Sequence, residues 1–86
     1  MKSLVVDSFW KTFDKLPPSI QKIAREKFNL WKNTPFHPSL KFKCVNVSGG
    51  IWSIRINLDY RALGVKKNDE IVWFWIGNHR EYENMI

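Results

Sequence analysis

Three side chains in the second half of the chain could act together on a phosphodiester: Arg55, Arg61 and His79. An arginine guanidinium binds two phosphate oxygens at once and stays charged at any relevant pH. An imidazole both accepts and donates protons near pH 7. RNA carries its own nucleophile, the 2′-hydroxyl, so an enzyme that cuts RNA needs neither a metal nor a covalent residue. It needs a proton acceptor, positive charge on the phosphate and a proton donor for the departing 5′ oxygen.

The turn between the two arginines decides whether they share a surface. In the predicted strand 51–57, apolar and polar residues alternate, so Arg55 faces away from the core. A two-residue turn at Leu58 and Asp59 would place Arg61 on the core side of the sheet. A three-residue turn or a bulge would instead place Arg61 beside Arg55. The sequence leaves both arrangements open.

Several of these residues also have a purely structural interpretation. His79 could cap the last strand or start a final helical turn, and Arg61 could bond a helix end or a carboxylate. His37, between two prolines, is typical of a structural or exposed residue. His37 and His79 do not have the spacing of metal ligands, and Cys44 adds no convincing third one. The sequence therefore predicts neither a metal nor another cofactor.

The charge of the chain indicates the kind of partner. The 86 residues, which predict a single domain over 1–86, contain 14 Lys and Arg against 8 Asp and Glu, a formal net charge of +6. Such a charge favours a polyanionic partner, nucleic acid first and an acidic protein next. Lys41 and Lys43 are predicted to point outward on the first strand of a meander, and Lys66 and Lys67 to lie in a turn. Such solvated lysines could follow a nucleic-acid backbone, and the candidate RNA-binding residues are Lys41, Lys43 and Arg80.

The cysteine count and the hydropathy indicate the compartment. Cys44 is the single cysteine and cannot form an internal disulfide, which fits a reducing compartment. It is predicted to be a small buried hydrophobic residue. No stretch approaches the length of a membrane span, and the first residues do not resemble a secretory signal. A cytoplasmic protein that does not bind membranes is predicted.

The first half of the chain predicts one strand and two helices. Residues 3–6 are β-prone, and Asp7 and Ser8 offer N-cap oxygens for a helix with one apolar stripe. Pro17 ends that helix, and Pro18 suits the first turn of the next one. The second helix, residues 18–33, is amphipathic. The two apolar faces are formed by Phe9, Trp10, Phe13 and Leu16 in the first helix and by Ile20, Ile23, Ala24, Phe28 and Trp31 in the second.

The second half predicts an antiparallel meander of strands at 41–47, 51–57, 60–65 and 70–77. The last strand has no polar face, which is typical of a strand covered on both sides. Trp73 and Trp75 are predicted on one face and Phe74 on the other. The fold class is therefore α+β, in the order β-α-α-β-β-β-β. Two helices pack on one face of a mostly antiparallel four- to five-stranded sheet, and the opposite face is left open.

Three segments of the chain resemble the RelE/ParE superfamily of bacterial type II toxin–antitoxin toxins. They are "NTPFHPSLKFKCV", "IWSIRINLDYRALGV" and "IVWFWIGNHREYENMI". The most specific parts are Arg-x-x-x-x-Tyr-Arg, from Arg55 to Arg61, and Gly-x-His-x-x-Tyr, from Gly77 to Tyr82. The likeness extends over nearly the whole chain, including the predicted helical hairpin.

The resemblance implies a toxin that binds the ribosome and cuts mRNA, held inactive by an acidic antitoxin encoded beside it. Arg55 matches a basic strand residue near the phosphate, and Arg61 matches the arginine that stabilises the transition state. His79 matches a position at which some members have a catalytic histidine and others an arginine. Tyr82 matches the aromatic residue that stacks on the substrate nucleotide or helps to activate it.

Departures from the family pattern leave a second interpretation open. Ser53 stands where well-studied nuclease members have a lysine, which removes one positive charge from the site. The superfamily also has a branch that poisons DNA gyrase and lacks the nuclease residues. The presence of Arg55, Arg61 and His79 favours the nuclease branch. The alternatives are a non-enzymatic gyrase inhibitor and an inactive basic RNA-binding relative; whether the free protein is a monomer or an oligomer is not predicted.

Overall fold

The computed structural model describes residues 1–86 as one five-stranded sheet with helices on both faces. The spatial order of the strands is β1-β5-β4-β3-β2; β1 pairs parallel with β5, and all other pairs are antiparallel. The α+β class and the predicted order of the first seven elements are confirmed. The elements are β1 (Lys2–Val5), α1 (Asp7–Phe13), α2 (Pro18–Asn33), a 3₁₀ turn (Pro38–Leu40), β2 (Lys43–Asn46), β3 (Ile51–Arg55), β4 (Tyr60–Lys67), β5 (Glu70–Asn78) and α3 (His79–Met85).

Helices α1 and α2 cover one face of the sheet, here called the hairpin face. Helix α2 has the predicted bounds, with Pro18 at its first position, where the missing N–H costs no hydrogen bond. Its Trp31 meets Trp73 of β5 edge to face, with ring centroids 5.4 Å apart. Both indoles are about 1% exposed, so aromatic area dominates this core. The core on this face also contains Phe9, Phe13, Leu16, Ala24, Leu40, Phe42, Ile54, Ile56, Ala62, Ile71 and Ile76.

The start of α1 differs from the prediction that Asp7 and Ser8 would cap it. Asp7 is the first helical residue, and the N-cap is Val6, which offers no side-chain oxygen. Ser8 is turned toward the sheet, where its Oγ donates to the Phe74 carbonyl at 2.8 Å. Trp10, predicted in the apolar stripe, is 44% exposed. The hydroxyl of Ser8 therefore bonds the neighbouring strand rather than its own helix.

Thr12 of α1 takes the place of a missing strand beside β5. Strand β1 ends opposite Trp73, so β5 continues beyond its neighbour. The Thr12 Oγ1 accepts the hydrogen bond of the Ile76 N–H at 3.1 Å and donates to the Phe9 carbonyl at 2.8 Å. A buried N–H needs such an acceptor.

The change Thr12→Val is expected to destabilise the protein by about 1–3 kcal/mol, because it leaves the Ile76 N–H without a partner at nearly constant side-chain shape. Chemical denaturation measures this difference. Thr34→Val is the matched control, since Thr34 is exposed and its hydroxyl makes no hydrogen bond. Equal effects of the two changes would show that Thr12 does not support the strand.

The opposite face of the sheet, here called the α3 face, is not the open surface that the sequence predicts. Tyr82 of α3 is 6% exposed and packs with Leu63 and Trp75 on this face.

The prediction that Trp73 and Trp75 share one face of the sheet is also wrong. Phe74 is an extra residue on β5, since Leu63 pairs with Trp75 but Gly64 pairs with Trp73. This bulge sends Trp73 to the hairpin face and Trp75 to the α3 face.

Three smaller predictions are also corrected. Lys66 and Lys67 lie in β4, because the turn to β5 is made by Asn68, whose φ is 57°, and Asp69. Lys41 precedes β2 and has left-handed backbone, with φ 46°, at the end of the 3₁₀ turn. Cys44 is exposed, because β2 is an edge strand. No helix combines the length and the hydropathy needed to span a bilayer.

Candidate active site

The two candidate arginines are direct neighbours on the α3 face. Arg55 of β3 pairs with Arg61 of β4 in the antiparallel register. The turn between them has three residues, 57–59, since the N–H groups of Ile56 and Asn57 both donate to the Tyr60 carbonyl. Of the two turns compatible with the sequence, the fold therefore adopts the one that puts both guanidinium groups on one surface.

The guanidinium of Arg61 is held by the turn beside it. Its Nη1 donates to the Asn57 carbonyl at 2.6 Å and to the Tyr60 carbonyl at 3.0 Å. Burial lowers the pKa of Arg61, and the charge of Arg55 lowers it further, while Tyr82 and Asp59 act in the opposite direction. No carboxylate lies within ion-pair distance of either arginine. Two adjacent cations without a counter-ion form a site suited to an anion.

Gly77 lies beside Arg61 on the α3 face. It pairs with Arg61 across the sheet and follows Trp75 by two residues, so all three lie on the α3 face. A Cβ on Gly77 would overlap the Trp75 indole, with Cη2 at only 2.8 Å. Glycine is therefore needed for Trp75 to lie along β5 toward the arginine pair.

The position of His79 is set by the cap of α3, by its own backbone N–H and by the side chain of Glu83. It is the first residue of α3, which is capped by the Asn78 side chain accepting from the Glu81 N–H at 2.8 Å. The His79 N–H donates to the Asp59 carbonyl at 2.6 Å, which ties α3 to the turn after β3. On the ring, Nε2 donates to Glu83 at 2.7 Å, whereas Nδ1 is buried without a partner.

Tyr82 connects the histidine to the arginine pair. Its ring stacks on the His79 imidazole with centroids 5.4 Å apart, and the Arg61 Cζ lies 6.0 Å from its centroid. Because Tyr82 is buried, its contacts are with these side chains and with Leu63 and Trp75. Arg55, Arg61, His79 and Tyr82 thus form one connected group on the α3 face, here called the Arg–His group.

The three candidate RNA-binding residues lie outside the Arg–His group. Lys43 pairs with Ser53 on the α3 face, and two strands separate its strand, β2, from β5. Arg80 is exposed in the first turn of α3, and Lys41 is exposed before β2. Ser53, at the position of a family lysine, is 2% exposed. None of the 14 Lys and Arg side chains forms an ion pair, so the whole positive surface is available to a polyanion.

Sequence reasoning missed Glu83, the close approach of Trp75 to Gly77 and the backbone contact of Asp59. The spacing of His79 and Glu83, four residues apart, is a helical signal that was available in the sequence. The roles of Gly77 and Asp59 depend on the register of β5 and on the docking of α3, which no local pattern reports. No group of three His, Cys, Asp or Glu side chains lies close enough to hold a metal ion.

The juxtaposed arginines are expected to cost stability. The change Arg55→Gln should stabilise the protein by about 0.5 kcal/mol, because like charges directly opposite one another in a sheet repel. Lys43→Gln removes the same charge from the same face, but its cross-strand partner is Ser53, so no stability gain is expected. Thermal denaturation at low salt compares the two; no gain in the Arg55 variant would mean that the repulsion is already relieved.

Comparisons with known proteins identify solved structures that have a similar fold. A comparison with curated proteins found no match. Among solved structures, the YoeB/ParE toxin from Agrobacterium tumefaciens is 19% identical, covers 92% of this chain and 99% of its own, and has a TM-score of 0.68. The RelB–RelE antitoxin–toxin complex from Methanococcus jannaschii contains a chain that is 17% identical, with coverages of 96% and 98% and a TM-score of 0.75.

A third similar structure is the archaeal RelE–RelB complex from Pyrococcus horikoshii OT3. Its matching chain is 18% identical, with coverages of 90% and 92% and a TM-score of 0.63. At such identities these likenesses establish the fold. The family is established by the sequence, because the model of the ParE-like toxin domain matches residues 18–84. The resemblance stated from the motifs is therefore confirmed: the chain belongs to the ParE-like toxin domain family and is a toxin of the RelE/ParE superfamily.

Proposed function

We propose that this toxin is a metal-independent endoribonuclease that cleaves mRNA, in association with the ribosome, and so stops translation. The observation that carries the proposal is the Arg55–Arg61 pair, which has no carboxylate partner and is connected to His79 through Tyr82. Two adjacent guanidinium groups suit the oxygens of one phosphate. The imidazole supplies the proton transfer that the cleavage requires.

The reaction follows from the chemistry of RNA. The 2′-oxygen attacks the adjacent phosphorus, a bond forms between them, and the bond from phosphorus to the 5′ oxygen breaks. The products are a 2′,3′-cyclic phosphate and a 5′-hydroxyl. Arg55 and Arg61 stabilise the additional negative charge of the five-coordinate phosphorus. His79 takes the proton of the 2′-hydroxyl or supplies the proton of the departing 5′ oxygen, and water accepts or supplies the proton of the other transfer. Tyr82 holds the imidazole and the guanidinium in place from beneath.

The surrounding cations would bind the RNA backbone. Lys41, Lys43 and Arg80 are exposed and free of ion pairs. Each contributes a charge that attracts phosphates without selecting sequence. Lys43, which lies on the α3 face, extends the positive charge from the arginine pair toward the edge of the sheet.

The proposal is tested by adding the purified protein to a translating extract and mapping mRNA ends by primer extension. New ends are expected with the wild-type protein and not with His79→Ala. A parallel assay of DNA gyrase supercoiling serves as the comparison. Intact mRNA together with inhibited supercoiling would contradict the nuclease proposal.

Gyrase inhibition is the second candidate function, because the matching family model is that of ParE-like toxins. One structural observation favours it. The Nε2 of His79 is already bonded to Glu83 and Nδ1 is buried, so the imidazole is not free for proton transfer in this conformation. For this candidate the basic surface would bind a protein rather than RNA, and His79→Ala would leave the toxicity unchanged.

We further propose that an acidic cognate antitoxin binds the groove between α1, α2 and β1. The two complex structures among the fold neighbours each pair a toxin with an antitoxin. The groove has a volume of about 620 Å³, and Val5, Trp10 and Phe28 are among its apolar lining residues. Two cations, Arg25 and Lys32, and one carboxylate, Glu26, also line it, so the groove carries a net positive charge that suits an acidic segment that orders on contact.

The antitoxin site is tested by the change Trp10→Ala, with the acidic protein encoded beside the toxin gene as the partner. Loss of an aromatic residue from a binding groove is expected to weaken the complex by about tenfold or more. Phe36→Ala is the control, because Phe36 is 64% exposed and does not line the groove. Equal affinities of the two variants in calorimetry would place the antitoxin elsewhere, as would the absence of any stable acidic partner.

A further inference from the structure

The only imidazole nitrogen of His79 that a substrate can reach is occupied by the protein itself. Nδ1 is buried and has no partner, whereas Nε2 lies 2.7 Å from a carboxylate oxygen of Glu83. The His79 side chain is 43% exposed, so the open part of the ring is the part that carries Nε2. Any phosphate or hydroxyl oxygen that bonds this imidazole must therefore take the position of the Glu83 carboxylate.

Glu83 has the freedom to leave that position. Its side chain is 63% exposed, and the ion pair with His79 at helical spacing is its only polar contact. A pair this exposed is weak, because water screens it and two side chains must be ordered to form it. The carboxylate is thus held loosely enough to be displaced by a ligand that brings its own negative oxygens to the same nitrogen.

Glu83 is bound to the imidazole because the two residues lie four positions apart on α3. Arg55 and Arg61 lie side by side without a carboxylate partner, and His79 is joined to Arg61 through the ring of Tyr82. Among the residues of this group and its contacts, Glu83 is the one whose carboxylate bonds the imidazole. A phosphate oxygen that bonds Nε2 competes with that carboxylate for the same nitrogen, and the two negative charges repel each other.

We infer that Glu83 is an internal competitor of the phosphate, one that occupies His79 Nε2 in the free toxin and is displaced when RNA binds. The inference rests on the proposed function of the Arg–His group and adds to it a residue that lowers the affinity for the substrate phosphate. Glu83 is not a catalytic residue in this account, because the reacting atoms replace it. It sets how readily the imidazole becomes available.

The inference is tested with inorganic phosphate as the probe, titrated into the purified toxin while the ring signals of His79 are followed by NMR. Glu83→Ala is compared with Glu81→Ala. Both changes remove one exposed carboxylate from α3, but only Glu83 contacts the imidazole. The Glu83 variant is expected to bind phosphate about threefold more tightly than the Glu81 variant, the effect of one weak, exposed ion pair. The ring signals of free His79 should also shift only in the Glu83 variant.

The possible outcomes are separable. Equal phosphate affinities in the two variants would overturn the inference and leave the nuclease proposal standing. If the His79 signals respond to phosphate in none of the proteins, both the inference and the proposed phosphate site fail. If Glu83→Ala prevents folding, Glu83→Gln is compared with Glu81→Gln instead. These changes remove the same charges and retain the length of the side chains, and the same difference in phosphate affinity is expected.

Discussion

Replacement of Arg61 by alanine is expected to lower the rate of RNA cleavage by about 10²-fold or more. A fixed charge aimed at the transition state contributes roughly 3 kcal/mol, and Arg61 is the arginine whose position is fixed by hydrogen bonds, from its Nη1 to the Asn57 and Tyr60 carbonyls. Arg61→Lys should recover little of the activity, because an ammonium group cannot bond these carbonyls and a phosphate in the same geometry. Single-turnover cleavage of a ribosome-bound mRNA measures both rates.

The control for this prediction is Arg80→Ala. Arg80 is an exposed arginine in the first turn of α3, near the group but without a hydrogen bond or an ion pair. Its loss should weaken RNA binding slightly and leave the rate at saturation unchanged. Similar rate losses in both variants would mean that Arg61 acts only through the overall charge. Thermal denaturation of each variant separates lost chemistry from lost folding.

The change Gly77→Ala is expected to destabilise the protein by about 2–3 kcal/mol and to reduce cleavage as well. The added Cβ would overlap the Trp75 indole, which is itself packed between Leu63 and Tyr82. Relief of the overlap requires the indole to shift within a buried cluster, which is the usual cost of overpacking. Because Tyr82 contacts both His79 and Arg61, movement of Trp75 would also displace the Arg–His group.

Gly49→Ala provides the comparison for Gly77. Gly49 lies in the exposed turn after β2, and a Cβ there would approach no atom closer than 3.3 Å. Its replacement should change the free energy of unfolding by less than about 1 kcal/mol. Denaturant titrations of the two variants give the difference. If Gly77→Ala is as stable as Gly49→Ala, the close approach of Trp75 to the backbone is not required by the fold.

Much of the fold was predictable because local signals agreed with the tertiary structure. The apolar stripe of α2 and the proline at its first position defined its bounds, 18–33. The alternation in residues 51–57 placed Ile54 in the core and Arg55 on the other face. In these segments the spacing of the apolar residues determines which face of the element is buried. The sequence therefore predicts both the type of element and its buried face.

The rest depended on interactions that no local pattern encodes. The bulge at Phe74 reverses the face of Trp75, and one inserted residue cannot be recognised in a strand that is apolar throughout. From the sequence, the turn after β3 could have had two or three residues, and Arg61 would lie on a different face of the sheet in each case. The structure has the three-residue turn, 57–59. The docking of α3 depends on Tyr82 finding Leu63 and Trp75, residues that are distant in sequence. These tertiary contacts decide which side chains surround His79.

The central claim is that the Arg–His group promotes attack of a 2′-oxygen on the neighbouring phosphorus. A direct test gives the toxin two copies of one ribosome-bound mRNA that differ only by a 2′-deoxynucleotide on the 5′ side of the cut. The unmodified RNA is expected to yield a 2′,3′-cyclic phosphate and a 5′-hydroxyl, and the deoxy-substituted RNA is expected to remain uncut at that position. Cleavage of the substituted RNA at the same bond, or products with a 3′-hydroxyl and a 5′-phosphate, would contradict the claim.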